Sequence, residues 1–526
     1  MNRYKFLAVP AAIGLALFLG TACTDLDEDV YDSLPADNFG NTMVEVNALM
    51  GTTYNTLKTY WSSNFMYLSE CGGSMAVTPT RQGGDWYDGG QYREFYVHSW
   101  TSQTNMIKSS WSAASTAIGT CNATIEVLQN STLLSDAEKT EDVASMRGLR
   151  DFWLYVMLDN WGNVPLVTSY EDKELPKCAS RQEVFDFLIK DVTEIATQAP
   201  DGTYANYGKF TKGSAEFLLA KLYLNAEAWG VKVEGGNAYQ KCVDACDKIM
   251  AMGYVLEPDW KTNFGISDRS REGILTITFS ESDTQNQDQL MLRTLHYQDN
   301  YSDGASYSAW NGICAQPGYV QLFDTLDPRY AATFRIGLRR NKATGDTLYT
   351  QYGAPLIYTV DFSIIPGTER DGTPWGDVVQ EAGARCQKWP YSTTLTSAMG
   401  NHFHIFRYSD VYLTKAEALL RSGGDVAEAT KLVNAIRERA WGDDTHDYQT
   451  VTLKEVQLER KFEFAWEAWS RQDDIRFGTF DQAEWPGSNC TRIADTDGHL
   501  KLYPISQDAW QTNQNLVQNP GYAAFN

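Results

Sequence analysis

The sequence lacks the side-chain patterns on which most catalytic and metal centres depend. It has 526 residues with six histidines, and its nine cysteines show no spacing typical of a zinc or redox motif. The Gly-x-Ser-x-Gly, phosphate-loop and dinucleotide-binding patterns are missing as well. We therefore expect no catalytic residue, no metal and no cofactor.

Positive charge is also scarce. Lysine and arginine together number 44 against 67 aspartates and glutamates, which leaves a formal net charge of −23. A surface this acidic repels nucleic acid and anionic polymers and favours neutral or cationic ligands, so we expect no nucleic-acid partner. Hydrophobic residues make up 43% and charged residues 21% of the chain, a composition typical of a folded soluble body.

Long apolar stretches are missing after residues 6–22. That stretch follows Arg3 and Lys5 and ends in small residues just before Cys23, which is the order of a secretory signal. A cysteine at this junction predicts a lipoprotein in which residues 1–22 are removed and Cys23 is acylated. The alternative is an ordinary secretory signal with an incidental cysteine. The lipid would be the only membrane attachment, because no later segment is apolar enough to cross a bilayer.

An acidic tether is predicted at residues 23–35. Asp25, Asp27, Glu28 and Asp29 come directly after the cysteine. A charge run at a chain end is most often solvated, and beside a lipid-bearing cysteine it is also a candidate signal for export to the cell surface.

Amphipathic helices are predicted on both sides of the middle of the chain. Capping boxes start helices at Ser135-x-x-Glu138, Ser180-x-x-Glu183 and Thr452-x-x-Glu455, and Thr211 can cap a further helix. Two such helices joined by a short glycine turn cannot bury their apolar faces alone. Their spacing of about 34 residues per pair therefore indicates stacked tetratricopeptide-type repeats.

The middle of the chain differs in composition and periodicity. From about residue 258 to residue 401, glycine, proline, asparagine and tyrosine are frequent and helical periodicity fades. This pattern predicts a long loop-rich insertion with short strands, the kind of segment in which binding residues concentrate. We expect a mainly α protein with an N-terminal helical region at 36–257 and a C-terminal region at 258–526, packed as one compact unit.

Several clusters that could carry chemistry are predicted to be structural. Cys242 and Cys246 fall on an apolar helical stripe and should pack in the core. His402 and His404 lack a third ligand for zinc. The stretch Asp495-x-Asp497-Gly498 begins like a calcium loop but lacks the later acidic residue, so we predict a turn there.

Charges alternate at helical spacing near the C-terminus. They could be read as an acid/base pair, but ion pairing along a packed helix is the prediction that the spacing favours. The residues are Glu459, Arg460, Glu463, Glu467, Arg471 and Asp474.

A set of motifs lies in a definite order along the chain. Two of them are Leu458-Glu-Arg-Lys-Phe-Glu-Phe-Ala-Trp-Glu467 and Gln518-Asn-Pro-Gly-Tyr522. The other stretches are residues 146–153, 161–166, 212–226, 406–420, 432–440, 471–478 and 502–506. These motifs and their order resemble the SusD/RagB family of outer-membrane nutrient-binding lipoproteins.

The resemblance implies a fold of four tetratricopeptide-like helix pairs that carry irregular segments. It also implies a role: a lipid-anchored protein on the outer surface of the outer membrane, acting as a lid on a TonB-dependent barrel of the SusC type. Such a protein captures a nutrient, usually a glycan, and helps to pass it to the barrel. The acidic residues after Cys23 resemble the surface-export signal of such lipoproteins.

The first candidate ligand-binding loop is Arg81-Gln-Gly-Gly-Asp-Trp-Tyr-Asp-Gly-Gly-Gln-Tyr92. Glycans bind by stacking flat sugar faces on aromatic rings while polar groups take the hydroxyls. Trp86 and Tyr87 have no periodic neighbours to pack with, and Arg81, Asp85 and Asp88 offer hydrogen-bonding groups. The alternative is a loop whose tryptophan folds back onto the body of the protein.

The second candidate loop lies in the insertion, within residues 296–311. The family's binding surface resembles a pairing of an early loop with one in this insertion, which makes Trp86 with Trp310 the predicted stacking platform. Trp375 is a third, separate candidate for stacking. The remaining predicted ligand residues are Asn300, Tyr301, Tyr307 and Asn311.

Two other functions stay open at this point. The RagB branch of the family suggests a peptide cargo, for which an open groove with backbone-reading polar groups is expected. A surface glycoside hydrolase is the more remote alternative, because carboxylate pairs are easy to find among 67 acidic residues. The sequence alone does not identify the cargo.

Overall fold

The structure is a computed structural model that describes residues 40–525 apart from 63, 173, 267, 283–288, 365–368, 371–372, 375–376, 391, 395–398 and 482–491. The predicted signal peptide at 1–22 and the acidic tether at 23–35 lie outside the described residues, and so do Cys23 and Trp375. What the sequence predicts for them stays a prediction.

Helices with well-capped starts dominate the first half of the described chain. The Ser135 side chain accepts a hydrogen bond from the backbone N–H of Glu138, and the Ser180 side chain accepts one from that of Glu183. The carboxylate of each glutamate accepts in turn from the backbone N–H of its serine. Thr211 caps a third long helix, so these predicted helix starts are confirmed. The helices are α1 Met43–Asn55, α2 Lys58–Ser62, α3 Asn64–Met66, α4 Gln91–Val97, α5 Asn105–Asn130, α6 Asp136–Trp161, α7 Arg181–Gln198, α8 Lys212–Trp229 and α9 Ala238–Met250.

The long helices stack in chain order. Helix α5 packs against α6, α6 against α7, α7 against α8, and α8 against α9. Cys242 and Cys246 are buried free thiols on α9, as the apolar stripe predicts. The mainly α architecture of stacked helix pairs is therefore confirmed.

The insertion holds short helices and short strands. Its helices are α10 Leu290–Thr294, α11 Asp299–Asp303, α12 Pro317–Val320 and α13 Pro328–Thr333. The strands of the described chain pair antiparallel and two at a time. They are β1 Ala76–Val77, β2 Val164–Pro165, β3 Cys178–Ala179, β4 Gly273–Ile277, β5 Cys314–Ala315, β6 Phe334–Arg335, β7 Gly337–Leu338, β8 Ile357–Tyr358, β9 Glu369–Arg370, β10 Thr373–Pro374, β11 Arg385–Cys386 and β12 Phe403–Arg407.

Strands β4 and β12 close the base of the insertion, because they pair although they lie at its two ends. Two histidines stabilise this junction. His404 Nδ1 lies 2.8 Å from the hydroxyl of Thr276, and His402 Nδ1 accepts from the backbone N–H of Phe279 at 3.2 Å. Both rings are buried and hydrogen-bonded, which is the structural role predicted for them.

The helices that follow the insertion continue the same stack. They are α14 Tyr408–Arg421, α15 Val426–Trp441, α16 Leu453–Phe464, α17 Ser470–Arg476 and α18 Gln507–Thr512. Helix α14 packs against α9 and α8, and α15 packs against α14. Thr452 caps α16 together with Glu455, as predicted. Across the described residues, none of the helices combines the length and the hydropathy that crossing a bilayer requires.

The alternating charges of α16 and α17 are buried, and most of them pair between elements rather than along one helix. Glu459 binds Arg329 at 2.7 Å and Arg437 at 2.9 Å. Arg460 binds Asp410 of α14 at 2.6 Å. Ion pairs are confirmed for five of the six predicted residues, whereas Arg471 donates to the backbone carbonyl of Lys501 at 2.8 Å. The expected direction of the pairs along one helix is wrong, because most of the partners lie on a neighbouring helix or loop.

Candidate functional site

The two loops predicted to hold a ligand, 81–92 and 296–311, lie side by side in the structure. Strand β1, just before the first loop, pairs with β5, just after the second. Residues 377–382 join them as a third segment, because the N–H of Gln82 donates to the carbonyl of Val378 at 2.8 Å. The fold thus gathers three stretches that are far apart in sequence.

The two tryptophans of the predicted platform meet. Trp86 Nε1 donates to the backbone carbonyl of Trp310 at 2.6 Å. The Trp86 ring lies so close to Gly312 that a Cβ there would be 2.5 Å from it. Both indoles are half-buried and packed against the core. Trp86 therefore folds partly back onto the body, as the alternative interpretation expects, while each ring keeps part of its surface in solvent.

One face of Trp310 is covered by the protein itself. The guanidinium of Arg293 lies 5.1 Å from the ring centroid, in cation–π geometry. Arg293 also donates to the hydroxyl of Tyr67 at 3.4 Å. A ligand that stacks on Trp310 would have to use the opposite face of the indole.

Arg81 is buried below the loops and is not a surface group. Its guanidinium donates to the carbonyl of Gly312 at 2.8 Å, and to those of Gln380 and Ala382 at 3.1 and 3.0 Å. Burial lowers the pKa of Arg81, and the nearby Arg385 lowers it further. The sequence suggests a hydrogen bond from Arg81 to a ligand, but the structure uses Arg81 to fasten the three segments together.

Two more of the predicted ligand residues support the loops from below. Tyr307 is 2% exposed and donates to Asp303 at 2.7 Å. Asn311 is fully buried and donates to the carbonyl of Gln380 at 3.1 Å. Asn300 is half-buried. Tyr307 and Asn311 thus have no surface on which a glycan could stack or bind.

The exposed part of this site centres on Asp85. One of its carboxylate oxygens accepts from the hydroxyl of Tyr297 at 2.9 Å and from the side-chain amide of Gln380 at 3.0 Å. Burial and the Asp85 carboxylate both raise the pKa of Tyr297. The Tyr352 hydroxyl lies over Gly83, where a Cβ would be only 2.0 Å from it.

Tyr297 and Tyr352 are the ligand candidates that the sequence analysis missed. They are 36% and 42% exposed, whereas Trp86 and Trp310 are half-buried. Each lies in a stretch rich in glycine and polar residues, the same signal that singles out Trp86. We call Asp85, Trp86, Tyr297, Trp310 and Tyr352 together the aromatic face.

Three more of the predicted side chains lie in the same two loops as most of the aromatic face. Asp88 is exposed, Tyr87 is half-buried, and Tyr301 is 49% exposed. Exposed rings offer an apolar surface for the CH faces of sugars, and a carboxylate with neighbouring hydroxyl and amide groups can bind sugar hydroxyls. This arrangement can bind a polyhydroxylated ligand without any covalent chemistry.

Comparisons with known proteins agree with the fold and the motifs. The family model described as the SusD family matches residues 271–522. A curated relative, the starch-binding protein SusD of Bacteroides thetaiotaomicron, is 26% identical over 74% of this chain and 74% of its own. A SusD-like protein of Bacteroides ovatus is 25% identical over 81% of this chain and 77% of its own.

Solved structures give the same picture of the fold. A laminarin-binding SusD-like protein superposes with a TM-score of 0.72 at 22% identity, covering 92% of this chain and 100% of its own. The surface glycan-binding protein A of Bacteroides thetaiotaomicron superposes with a TM-score of 0.70 at 20% identity, covering 92% of this chain and 100% of its own.

Proposed function

We propose that the chain is a member of the SusD family, whose model matches residues 271–522, and that it is a surface lipoprotein that captures a glycan for import across the outer membrane. The observation that carries this proposal is the aromatic face, in which exposed Tyr297 bonds the Asp85 carboxylate and exposed Tyr352 lies over Gly83 of the same loop. It takes the glycan by stacking and by hydrogen bonds, and no bond of the glycan is broken. A TonB-dependent barrel of the SusC type is the partner to which the glycan passes.

The proposed binding mode is tested by calorimetric titration against a glycan panel that begins with starch and laminarin. Tyr297→Ala and Tyr352→Ala should each weaken binding about tenfold, equal to about 1.4 kcal/mol, because each removes a stacking surface. Tyr297→Phe keeps the ring and loses only the hydroxyl bonded to Asp85, so its effect should be smaller. Tyr170→Ala is the matched control, since Tyr170 is 39% exposed and is not part of the aromatic face.

The outcomes separate the possible cargoes. Undiminished glycan binding by both alanine variants would remove the aromatic face from the proposal. Binding of peptides without a response to any glycan would show a peptide cargo instead. Release of reducing sugar from a bound glycan by the pure protein would show a hydrolase.

The anchor is proposed from Cys23 and the acidic tether behind it. The lipid holds the protein at the outer surface, and the tether lets the body act as a lid on the barrel. Cys23→Ala should leave glycan affinity unchanged and move the protein from the membrane fraction to the soluble fraction. Loss of glycan binding by this variant would contradict the proposed separation of anchor and body.

A further inference from the structure

A loop near the C-terminus gathers two carboxylates and an imidazole outside the aromatic face. Asp495, Asp497 and His499 each offer one ligand atom, and these atoms lie within 4.8 Å of one another. Asp495 Oδ1 is 3.5 Å from His499 Nδ1, and Asp497 Oδ1 contacts the same nitrogen. Gly498 has φ 80°, a left-handed turn that glycine adopts without strain. The turn is the one predicted here, but it brings the three side chains together.

Asp495 supplies a separate indication that the loop binds something. Its side chain has no exposed surface although it lies in a surface loop. Its Oδ1 accepts from the backbone N–H of Leu500 at 3.1 Å, whereas its Oδ2 is buried and has no hydrogen-bond donor among the residues that the structure describes. A buried carboxylate oxygen without a donor is costly, and a bound cation is one way to satisfy it.

The imidazole is held in place by the end of the chain. The ring of Tyr522 packs edge-on against His499 with the centroids 5.0 Å apart. A Cβ at Gly521 would be 2.4 Å from Cβ of His499, so only glycine allows this close approach. Tyr522 is itself fixed, because it donates to the carbonyl of Leu502 at 2.6 Å and accepts from Trp100 at 2.8 Å. Such support around a ligand restrains its orientation, as in established metal sites.

The donor set decides the class of cation. Two carboxylate oxygens and one imidazole nitrogen suit a divalent first-row transition metal, which accepts nitrogen and oxygen ligands together. Calcium prefers about six to eight oxygen ligands, more than this loop offers. We propose that Asp495, Asp497 and His499 bind a divalent transition-metal cation that joins the 495–499 loop to the C-terminal residues packed on His499.

The test uses the full chain after removal of metal with EDTA and dialysis. Zinc chloride is the probe, titrated calorimetrically and in a thermal unfolding series. We expect one equivalent of zinc to bind and to raise the melting temperature. Asp495→Asn and His499→Gln should each weaken zinc binding at least tenfold and abolish the rise. His499→Gln tests the proposal even if the buried Asp495→Asn variant fails to fold, because the His499 side chain is 25% exposed.

The matched control is Asp443→Asn. Asp443 accepts from the backbone N–H of Thr445 at 3.0 Å in an exposed turn, three residues before His446, and should not affect zinc binding. Absence of zinc binding, or binding that neither variant weakens, would overturn the proposal. A parallel titration with calcium chloride tests the class of cation. Calcium binding that is tighter than zinc binding and survives His499→Gln would overturn the assignment to a transition metal.

Discussion

Two buried arginines show how differently the C-terminal helices and the aromatic face are built. Arg407, the last residue of β12, meets carboxylates: it binds Glu467 at 2.7 Å and Glu463 at 2.6 Å. Arg81, below the aromatic face, meets only backbone carbonyls in the hydrogen bonds that the structure describes around it. Both side chains are almost fully buried, so the difference lies in their partners and not in their exposure.

These different partners shift the pKa values of the two arginines in opposite directions. Burial alone would lower the pKa of Arg407, but Glu467 and Glu463 outweigh it and raise the pKa well above its ordinary value. The pKa of Arg81 is lowered, because burial acts on it without a compensating carboxylate. In the helices, charge is matched by charge. Under the aromatic face, Arg81 fastens the loops by donating to their backbone carbonyls.

The comparison teaches that a charged residue in this fold is a poor guide to the ligand. We call the buried pairs of the C-terminal half the helical ion-pair network; its members include Glu272, Arg329, Arg407, Arg437, Arg439, Glu459, Glu463 and Glu467. Buried pairs of this kind set which helices pack together, while the surface left for binding is formed by rings and one carboxylate.

The largest effect is expected from breaking the helical ion-pair network. Arg407→Met should lower the free energy of unfolding by about 3–5 kcal/mol, because it leaves Glu463 and Glu467 buried without this partner. Urea unfolding of the folded variant measures the loss. Lys108→Met is the control, since its pair with Asp508 is exposed and should leave the urea midpoint nearly unchanged. Equal midpoints for Arg407→Met and the wild type would show that the network does not stabilise the fold.

The second prediction concerns two buried acids with opposite pKa shifts. Burial would raise the pKa of Glu463, but Arg439, Arg407 and Arg329 hold it well below the usual value. Burial raises the pKa of Glu70 to about 8, although the N–H of Ala468 opposes the rise. Between pH 4.5, the ordinary value for Glu70, and pH 8, the unfolded chain ionises this group while the folded chain stays protonated. Glu70 therefore makes the protein less stable as the pH rises through this window.

Glu70→Gln should remove this pH dependence. Glu70→Gln should raise the free energy of unfolding relative to the wild type, and this gain should be larger at pH 8 than at pH 4.5 by about 4 kcal/mol. Urea titrations of both proteins across this range measure the difference, and taking the difference cancels the groups that the two proteins share. Parallel stability curves for the two proteins would contradict the raised pKa of Glu70.

The helical part of the fold could be predicted because its signals are local. Ser135 and Glu138 lie three residues apart, and their capping box depends on nothing else in the chain. The stacking of helix pairs follows from apolar faces that one pair cannot bury. The partners across helices could not be predicted in the same way: Arg407 and Glu467 are separated by 60 residues, and helical periodicity places a charge on a face without showing what lies opposite.

The candidate site was predictable only in outline. The meeting of Trp86 with Trp310 follows from the family resemblance, since no local pattern joins residues that are 224 positions apart. The burial of Arg81 could not be foreseen, because a glycine- and aspartate-rich loop indicates exposure. Its carbonyl partner at Gln380 is 299 residues away. Tyr352 was missed for the related reason that its exposure depends on where the turn between Tyr349 and Pro355 lies.

The smallest effect on stability is expected from replacing Arg81. The same replacement should also weaken glycan binding. Arg81→Met should lower the free energy of unfolding by about 2 kcal/mol, because buried carbonyls lose their donors but no carboxylate is left unpaired. The loops that carry Trp86 and Trp310 should loosen, so glycan affinity should fall about tenfold at a temperature where the variant remains folded. Arg407→Met, assayed while folded, should keep the wild-type affinity, since the helical ion-pair network lies outside the aromatic face. If Arg81→Met lowers stability with unchanged glycan affinity, the arginine serves the fold alone, and the three segments hold the aromatic face without it.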